Sequence, residues 1–230
     1  MRFQPDQGQQ HKLSLTVLPE DNRKIRRDLP SGMSPARRLY HRVYDAICGK
    51  HPHIRPCHFQ WLAIRDVYKD LRRVLPHVQG RVLDVGCGDK PYGVWLDKQV
   101  EHVGIDVVPG PEVDILIEPD AQWPVESSAF DAVFCAQALE HVADLEQAVG
   151  EIDRVLVPEG LLIVTVPFIY NFHTQPGGSD YRRFSLDGLK QLFAGYEILE
   201  LKPQGGIGST LGLLFLTGSI SRPAAGRSRN

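Results

Sequence analysis

"VLDVGCGDKPY", residues 82–92, starts as a short apolar run and then breaks into two glycines one residue apart. Gly86 and Gly88 let the backbone turn sharply and come close to a ligand that any side chain would hold off. Asp84, at the end of the run, puts a carboxylate beneath that turn, and Pro91 suits the first position of a following helix. Downstream, "HVGIDV", "VDILI", "FDAVFC", "LLIVTV" and "YEILEL" repeat the strand-like pattern, several too apolar for a strand with one face in water. Between them, "DLEQAVGEIDRVL" sets Leu145, Ala148, Val149, Ile152, Val155 and Leu156 on one helical face, and "SLDGLKQLF" offers Ser185 as a cap. Strands alternating with helices predict an α/β, doubly wound, mostly parallel sheet.

Ligands of such a sheet sit beyond the carboxyl ends of its strands, which places the glycine turn in the binding crevice. A dinucleotide fingerprint would want a glycine at position 91, where this chain has proline, and Asp84 and Asp89 flank the turn with charge that a pyrophosphate would resist. A ligand with a cationic centre and an amine fits better. Asp106, about 22 residues after Asp84 at the end of the second strand, is placed to bind two ribose hydroxyls. Asp120, followed by the small Ala121, suits an exocyclic amino group of adenine. Each acid alone reads as a turn or cap residue; their order along successive strand ends favours a nucleoside.

The remaining chain sets bounds. Its 230 residues, 42% of them hydrophobic, support one substantial core. Residues 1–55 read as a polar, basic arm, partly disordered, with one helix around 35–48. Residues 56–220 read as the ligand-binding domain and 221–230 as a disordered tail. In "HFQWLAIRDVYKDLRRVL", Trp61, Ile64, Tyr68, Leu71 and Leu75 form a helical stripe that Pro76 stops. A formal charge of -2 disfavours a nucleic-acid partner, although Arg23, Lys24, Arg26, Arg27, Arg37, Arg38 and Arg42 make the arm locally basic. Four cysteines, no secretory leader pattern and no membrane-length apolar run predict reduced thiols in a cytoplasmic protein. "CGKHPHIRPCH" at 48–58 lacks the paired spacing of structural zinc sites, so no metal is expected. The apolar 205–220 stretch offers peripheral membrane contact if it is uncovered.

Taken as an ordered set, "VLDVGCGDKPY", "VGIDV", "EPDAQWPVESSAFDAVFCAQALEHV" and "IDRVLVPEGLLIVTVPF" resemble the motifs of class I S-adenosylmethionine-dependent methyltransferases of the type 11-like group, over about residues 78–202. The resemblance implies S-adenosylmethionine as cofactor. Asp84, Gly86 and Gly88 would surround its methionine end, Asp106 would hold the ribose and Asp120 the adenine, and Ala136 and Gln137 would line the sulfonium. Lys90 departs from the pattern, since many members have a third glycine there. Members also continue to a last strand antiparallel to its neighbours; here it is expected to be missing, altered or built from 211–217.

Methyl transfer asks the protein to align an acceptor and manage one proton. His141 in "ALEHV" follows the fourth strand and is a candidate base or acceptor contact, or else a structural histidine at a helix start. "NFHTQPGGSDYRRFS" at 171–185 forms a lid-like connection similar to the "H…DYxRFT" stretch of methyltransferases associated with glycan and cell-envelope synthesis. That likeness carries over to His173, Asp180, Tyr181, Arg183 and Phe184. His173 or Asp180 would take an acceptor proton and Arg183 would orient an anionic group, unless Asp180 and Arg183 only pin the loop to each other. The expected activity is methylation of a small-molecule or glycan-type acceptor at a hydroxyl oxygen. The alternatives are a lipid-like or quinone-like ring acceptor and a non-catalytic cofactor-binding scaffold.

Overall fold

The structure, a computed structural model, describes residues 11–18, 34–170 and 179–218, the first of these as backbone only. The candidate base His173 and the 221–230 tail lie outside the described residues. Seven strands form one sheet: β1 (His11–Leu18), β2 (Arg81–Val85), β3 (Glu101–Asp106), β4 (Ile115–Leu116), β5 (Phe130–Ala136), β6 (Leu156–Pro167) and β7 (Tyr196–Pro203). Their spatial order is β4-β3-β2-β5-β6-β1-β7, and every ladder is parallel. All seven carboxyl ends therefore share one edge of the sheet. Five helices complete the fold: α1 (Pro35–Cys48), α2 (Trp61–Val74), α3 (Leu145–Val155), α4 (Leu186–Leu192) and α5 (Ile207–Gly218).

The core is two-sided, as an all-parallel sheet requires. Along β5, Val133 and Cys135 join a cluster with Val149, Ile152 and Val155 of α3 and Leu189 of α4. The intervening Ala132, Phe134 and Ala136 join a second cluster with Ile64, Val67, Tyr68 and Leu71 of α2. Strand periodicity of two thus feeds two different helix layers from one strand. The stripe on α2 is buried as expected. Ser185 caps α4 by accepting the Gly188 N–H at 3.0 Å, and Asp144 caps α3 by accepting from Gln147 at 3.0 Å.

Three expectations need correction. The segment 1–55 is not simply an arm, because His11–Leu18 pairs with both β6 and β7 inside the sheet. Its Leu13, Leu15 and Val17 alternate with polar residues, a strand signal that the surrounding Gln- and Arg-rich sequence conceals. Residues 211–217 are not a strand but part of α5; "LGLLFL" does not alternate, and leucine favours a helix. No antiparallel strand occurs among the described residues. Pro91 does not open a long helix either. With β3 starting at Glu101, only one short 3-10 turn, Gly93–Trp95, intervenes.

α2 is tied to β7 through charges. Lys202 Nζ donates to the buried Asp70 at 2.9 Å, Gln204 also donates to Asp70, and Arg73 reaches Glu200 at 2.6 Å. Residue numbers fall along α2 as they rise along β7, so the two run antiparallel and the first turn of α2 stands at the carboxyl edge of the sheet. Just before it, the 48–58 run is knit into the protein. His51 bonds the Tyr68 hydroxyl and the Gln60 side chain (2.8 Å), and the Cys48 and Cys57 thiols donate to the carbonyls of Cys57 and Ile47.

Candidate functional site at the carboxyl edge

The turn after β2 is built on left-handed backbone. Gly86 has φ +68°, and a Cβ there would sit 2.5 Å from the Ala138 Cβ, closer than two carbons can approach. Gly88 follows at φ +53°. Lys90, the departure from the glycine pattern, also takes φ +46°. Its side chain is then put to use: Nζ donates to Asp114 at 2.5 Å and to the His102 carbonyl at 3.0 Å, bracing the turn against the connection between β3 and β4. Burial pushes the Asp114 carboxyl up, but the Gly104 N–H and the Lys90 ammonium outweigh it and hold the group below its ordinary range.

A cavity opens beside this turn, lined among others by Gly86, Asp106, Asp120, Ala121, Gln137 and His141. Asp106 is nearly buried and organises two walls at once. Oδ2 accepts the Gly88 N–H and Oδ1 the Val108 N–H, both at 2.9 Å. Asp120, exposed and at φ +55°, accepts the Asp144 N–H at 3.0 Å and sits beside Ala121 at the far end of the cavity. Gln137 is buried at φ +54°, with its Nε2 on the Thr165 hydroxyl at 3.2 Å. Its Oε1 has no hydrogen-bond partner among the described residues. A buried acceptor left unpaired costs free energy.

Three expected lining residues stand outside the cavity lining; Gly88 is one, its N–H held by Asp106. Asp84 is buried behind the turn, with Oδ2 bonded to His102 Nε2 at 3.1 Å. Ala136 is still within β5 and buried under the floor in the cluster against α2; Ala138, two residues on, takes the exposed position on the wall. The β pleat explains the exchange, because side chains two apart share a face only while the strand continues, and the chain leaves the strand at Gln137.

Over the cavity runs the segment 179–185. Tyr181 N–H donates to the Glu140 carbonyl at 2.9 Å, Arg182 donates to the carbonyls of Val142 and Ala143 (2.8 Å to the latter), and Phe184 N–H donates to Pro167 at 2.9 Å. The Tyr181 ring lines the cavity. Arg183 forks onto both oxygens of the buried Asp180 and also reaches the Tyr170 carbonyl at 3.4 Å. His141 Nδ1 donates to the Ser179 carbonyl at 3.0 Å, which makes Nε2 the unprotonated nitrogen of the neutral ring; it lies 3.8 Å from Glu140 Oε1.

Residues with no obvious sequence signal hold the cavity residue Trp123 from behind. Glu151 accepts the Trp123 N–H at 2.8 Å and pairs with Arg154, whose guanidinium also donates to the carbonyls of Val125 (2.7 Å) and Trp123 (3.1 Å). Burial pushes the Glu151 carboxyl up, yet Arg154 and the Trp123 amide more than reverse this and leave it lowered. Its contribution is therefore complete above the unfolded carboxylate pKa of about 4 and is lost as pH falls through the lower folded value. Glu151→Gln is expected to lower the thermal midpoint by roughly 4 °C near neutral pH. Melts at successively lower pH should show the gap to wild type closing below about pH 4; a gap that persists unchanged in acid would mean that charge is not what Glu151 supplies.

Comparison with known proteins places this site in context. Residues 83–164 match the profile of a methyltransferase domain. The chain is 36% identical over 106 residues to a demethylmenaquinone methyltransferase of Deinococcus radiodurans, covering 39% of this chain and 44% of that one. It is 37% identical over 100 residues to a ubiquinone biosynthesis O-methyltransferase of Xylella fastidiosa, covering 37% and 41%. These matches span less than half the length of either relative. Among solved structures, the YcgJ protein from Bacillus subtilis is similar at a TM-score of 0.43 with 18% identity, over 56% of this chain and 66% of that one.

Proposed function

We propose that this chain, which carries a class I methyltransferase domain over residues 83–164, transfers a methyl group from S-adenosylmethionine to a hydroxyl oxygen of a small-molecule acceptor. The observation that carries the reading is the cavity at the carboxyl edge. Asp106 and Asp120 line it with carboxylates suited to ribose hydroxyls and an adenine amine, and Gln137 lies on its wall. When bound, S-adenosylmethionine supplies a methyl carbon on a positive sulfur that departs as a neutral thioether. The Gly86 and Gly88 turn lets the backbone approach the methionine end, and Asp84 supports that turn from behind through His102.

The chain's remaining task is to move one proton. His141 is the best-placed base, since it lines the cavity with Nδ1–H committed to Ser179 and Nε2 able to accept. Glu140 stands close enough to stabilise the imidazolium once it forms. Asp180 is a poorer base because both of its oxygens are engaged by Arg183, which leaves the pair to hold the strap in place. Tyr181 would shield the reacting end from water.

Of the acceptor classes, a hydroxylated ring of the quinone type is favoured over a glycan. The relatives above are named for such substrates, and the Arg183 that a glycan phosphate would need is already paired. Calorimetric titration with S-adenosylmethionine, S-adenosylhomocysteine and NAD tests the cofactor assignment. Micromolar binding of the two adenosyl ligands without NAD is expected, and failure of both to bind would overturn it. Transfer of labelled methyl into a hydroxylated quinol, and not into a sugar acceptor, tests the acceptor class.

A further inference from the structure

Two helices outside the cavity carry apolar residues that are not buried. On α5, Ile207, Leu211 and Phe215 are 81%, 61% and 76% exposed and fall four residues apart, along one stripe of a helix that carries no charged residue. On α1, Leu39, Val43 and Ile47 repeat the same spacing beside Tyr40, and all four are exposed. The opposite side of α5 is anchored: Leu213 is buried, and Gly212 packs so closely on Leu62 that a Cβ there would lie 2.8 Å from its Cδ1. α1 is anchored nearby, where the Phe59 N–H donates to the Tyr44 hydroxyl at 3.1 Å and Arg55 donates to the carbonyls of Ala46 and Ile47.

Phe59 and Leu62 belong to the first turn of α2 and its approach. That turn stands at the carboxyl edge of the sheet, as the antiparallel pairing of Asp70 and Arg73 with β7 requires. Both apolar stripes are therefore held at the end of the molecule where the cavity opens. Exposed stripes of this size on two helices that both pack near the start of α2 are unusual for a surface that meets only water.

Charge identifies what covers them. Arg38 and Arg42 lie on α1 among its apolar residues and Lys50 follows its end, against the single acid Asp45, which Lys50 pairs at 3.5 Å. After Pro203 the chain contains Arg222, Arg227 and Arg229 and no acidic residue. Apolar side chains of α1 interspersed with Arg38 and Arg42, in a chain whose end is basic in sequence, suit an interface with acyl chains below and anionic headgroups above. Among the described residues no helix is long and apolar enough to cross a bilayer, so the contact is one that lies on the surface.

The geometry points to α1 and α5 forming a docking face for an anionic lipid surface at the carboxyl edge of the sheet, the edge at which the cavity also lies. The face adds to the methyl-transfer reading and rests on it only for the benefit that docking brings. The full chain is expected to pellet with vesicles of phosphatidylcholine containing about 30% phosphatidylglycerol, to bind phosphatidylcholine alone at least about tenfold more weakly, and to release as salt is raised. The double variant Ile207→Ser, Leu211→Ser should lose at least about tenfold in vesicle affinity while keeping wild-type binding of S-adenosylhomocysteine, which reports an intact fold. Equal pelleting of wild type and variant, or no pelleting of either, overturns the docking face. A dimer in light scattering that the same variant dissociates would assign the face to a second copy of the chain instead. Normal vesicle binding without any binding of S-adenosylhomocysteine by the wild type would fell the enzyme reading and leave the docking face standing.

Discussion

Asp106→Ala is expected to weaken S-adenosylhomocysteine binding about 100-fold, equivalent to roughly 2.7 kcal/mol. The carboxylate does two jobs that fail together. Its oxygens receive the Gly88 and Val108 amides, so its removal frees both the glycine turn and the start of the connection toward β4. In the proposed complex its removal would also take away bonds to the ribose hydroxyls, and hydrogen bonds to a charged group are worth about 1.5–3 kcal/mol each before water replaces part of them. Asp106→Asn keeps one carbonyl oxygen and should cost only about tenfold. Titration calorimetry reads both variants, with the thermal midpoint of each as a check on folding. If Asp106→Ala stays within about threefold of wild type while folding normally, the carboxylate serves only the turn and the ribose is held elsewhere.

The fold was legible wherever apolar runs and turn chemistry agreed. "RVLDV", "FDAVFC" and "LLIVTV" are strands because burial on both faces of a parallel sheet demands near-continuous apolar residues. The stripe of α2 and the caps Asp144 and Ser185 follow from local rules alone. His11–Leu18 escaped notice because its pairing partners, β6 and β7, lie more than 140 residues away, and nothing local announces a strand that completes a sheet formed by the other end of the chain. The site was legible in outline for a similar reason. Acids at strand ends are visible in sequence, and Asp106, Asp120 and Ala121 line the cavity as their positions suggest. Sequence order could not say that Asp84 turns inward to His102, or that Ala138 replaces Ala136 on the wall, because both depend on where the pleat ends. The Glu151 and Arg154 clamp was invisible: a Glu and an Arg three apart on a helix read as an ordinary surface pair, and only the fold brings Trp123 to them.

His141→Ala should cut the single-turnover rate of methyl transfer by between about 100- and 10,000-fold while S-adenosylhomocysteine affinity stays within about threefold, because a positioned base contributes on that scale and only to the step that moves the proton. The histidine also holds the strap through Ser179, so a lower rate has two sources, a loosened Tyr181 or a lost base. Arg182→Met separates the two. It removes the bonds to the Val142 and Ala143 carbonyls without touching the imidazole, so it should raise KM for the acceptor more than it lowers kcat. A base assignment requires the opposite split for His141→Ala, with kcat falling and KM little changed. Should the two variants behave alike, alignment behind an already activated methyl would be carrying the reaction, which proximity worth about 7–11 kcal/mol makes physically sufficient for an acceptor that loses its proton to water. The outcome also bears on the acceptor itself. An acceptor already ionised in solution needs no base, whereas a hydroxyl that keeps its proton until attack needs the unprotonated Nε2 that the Ser179 carbonyl selects.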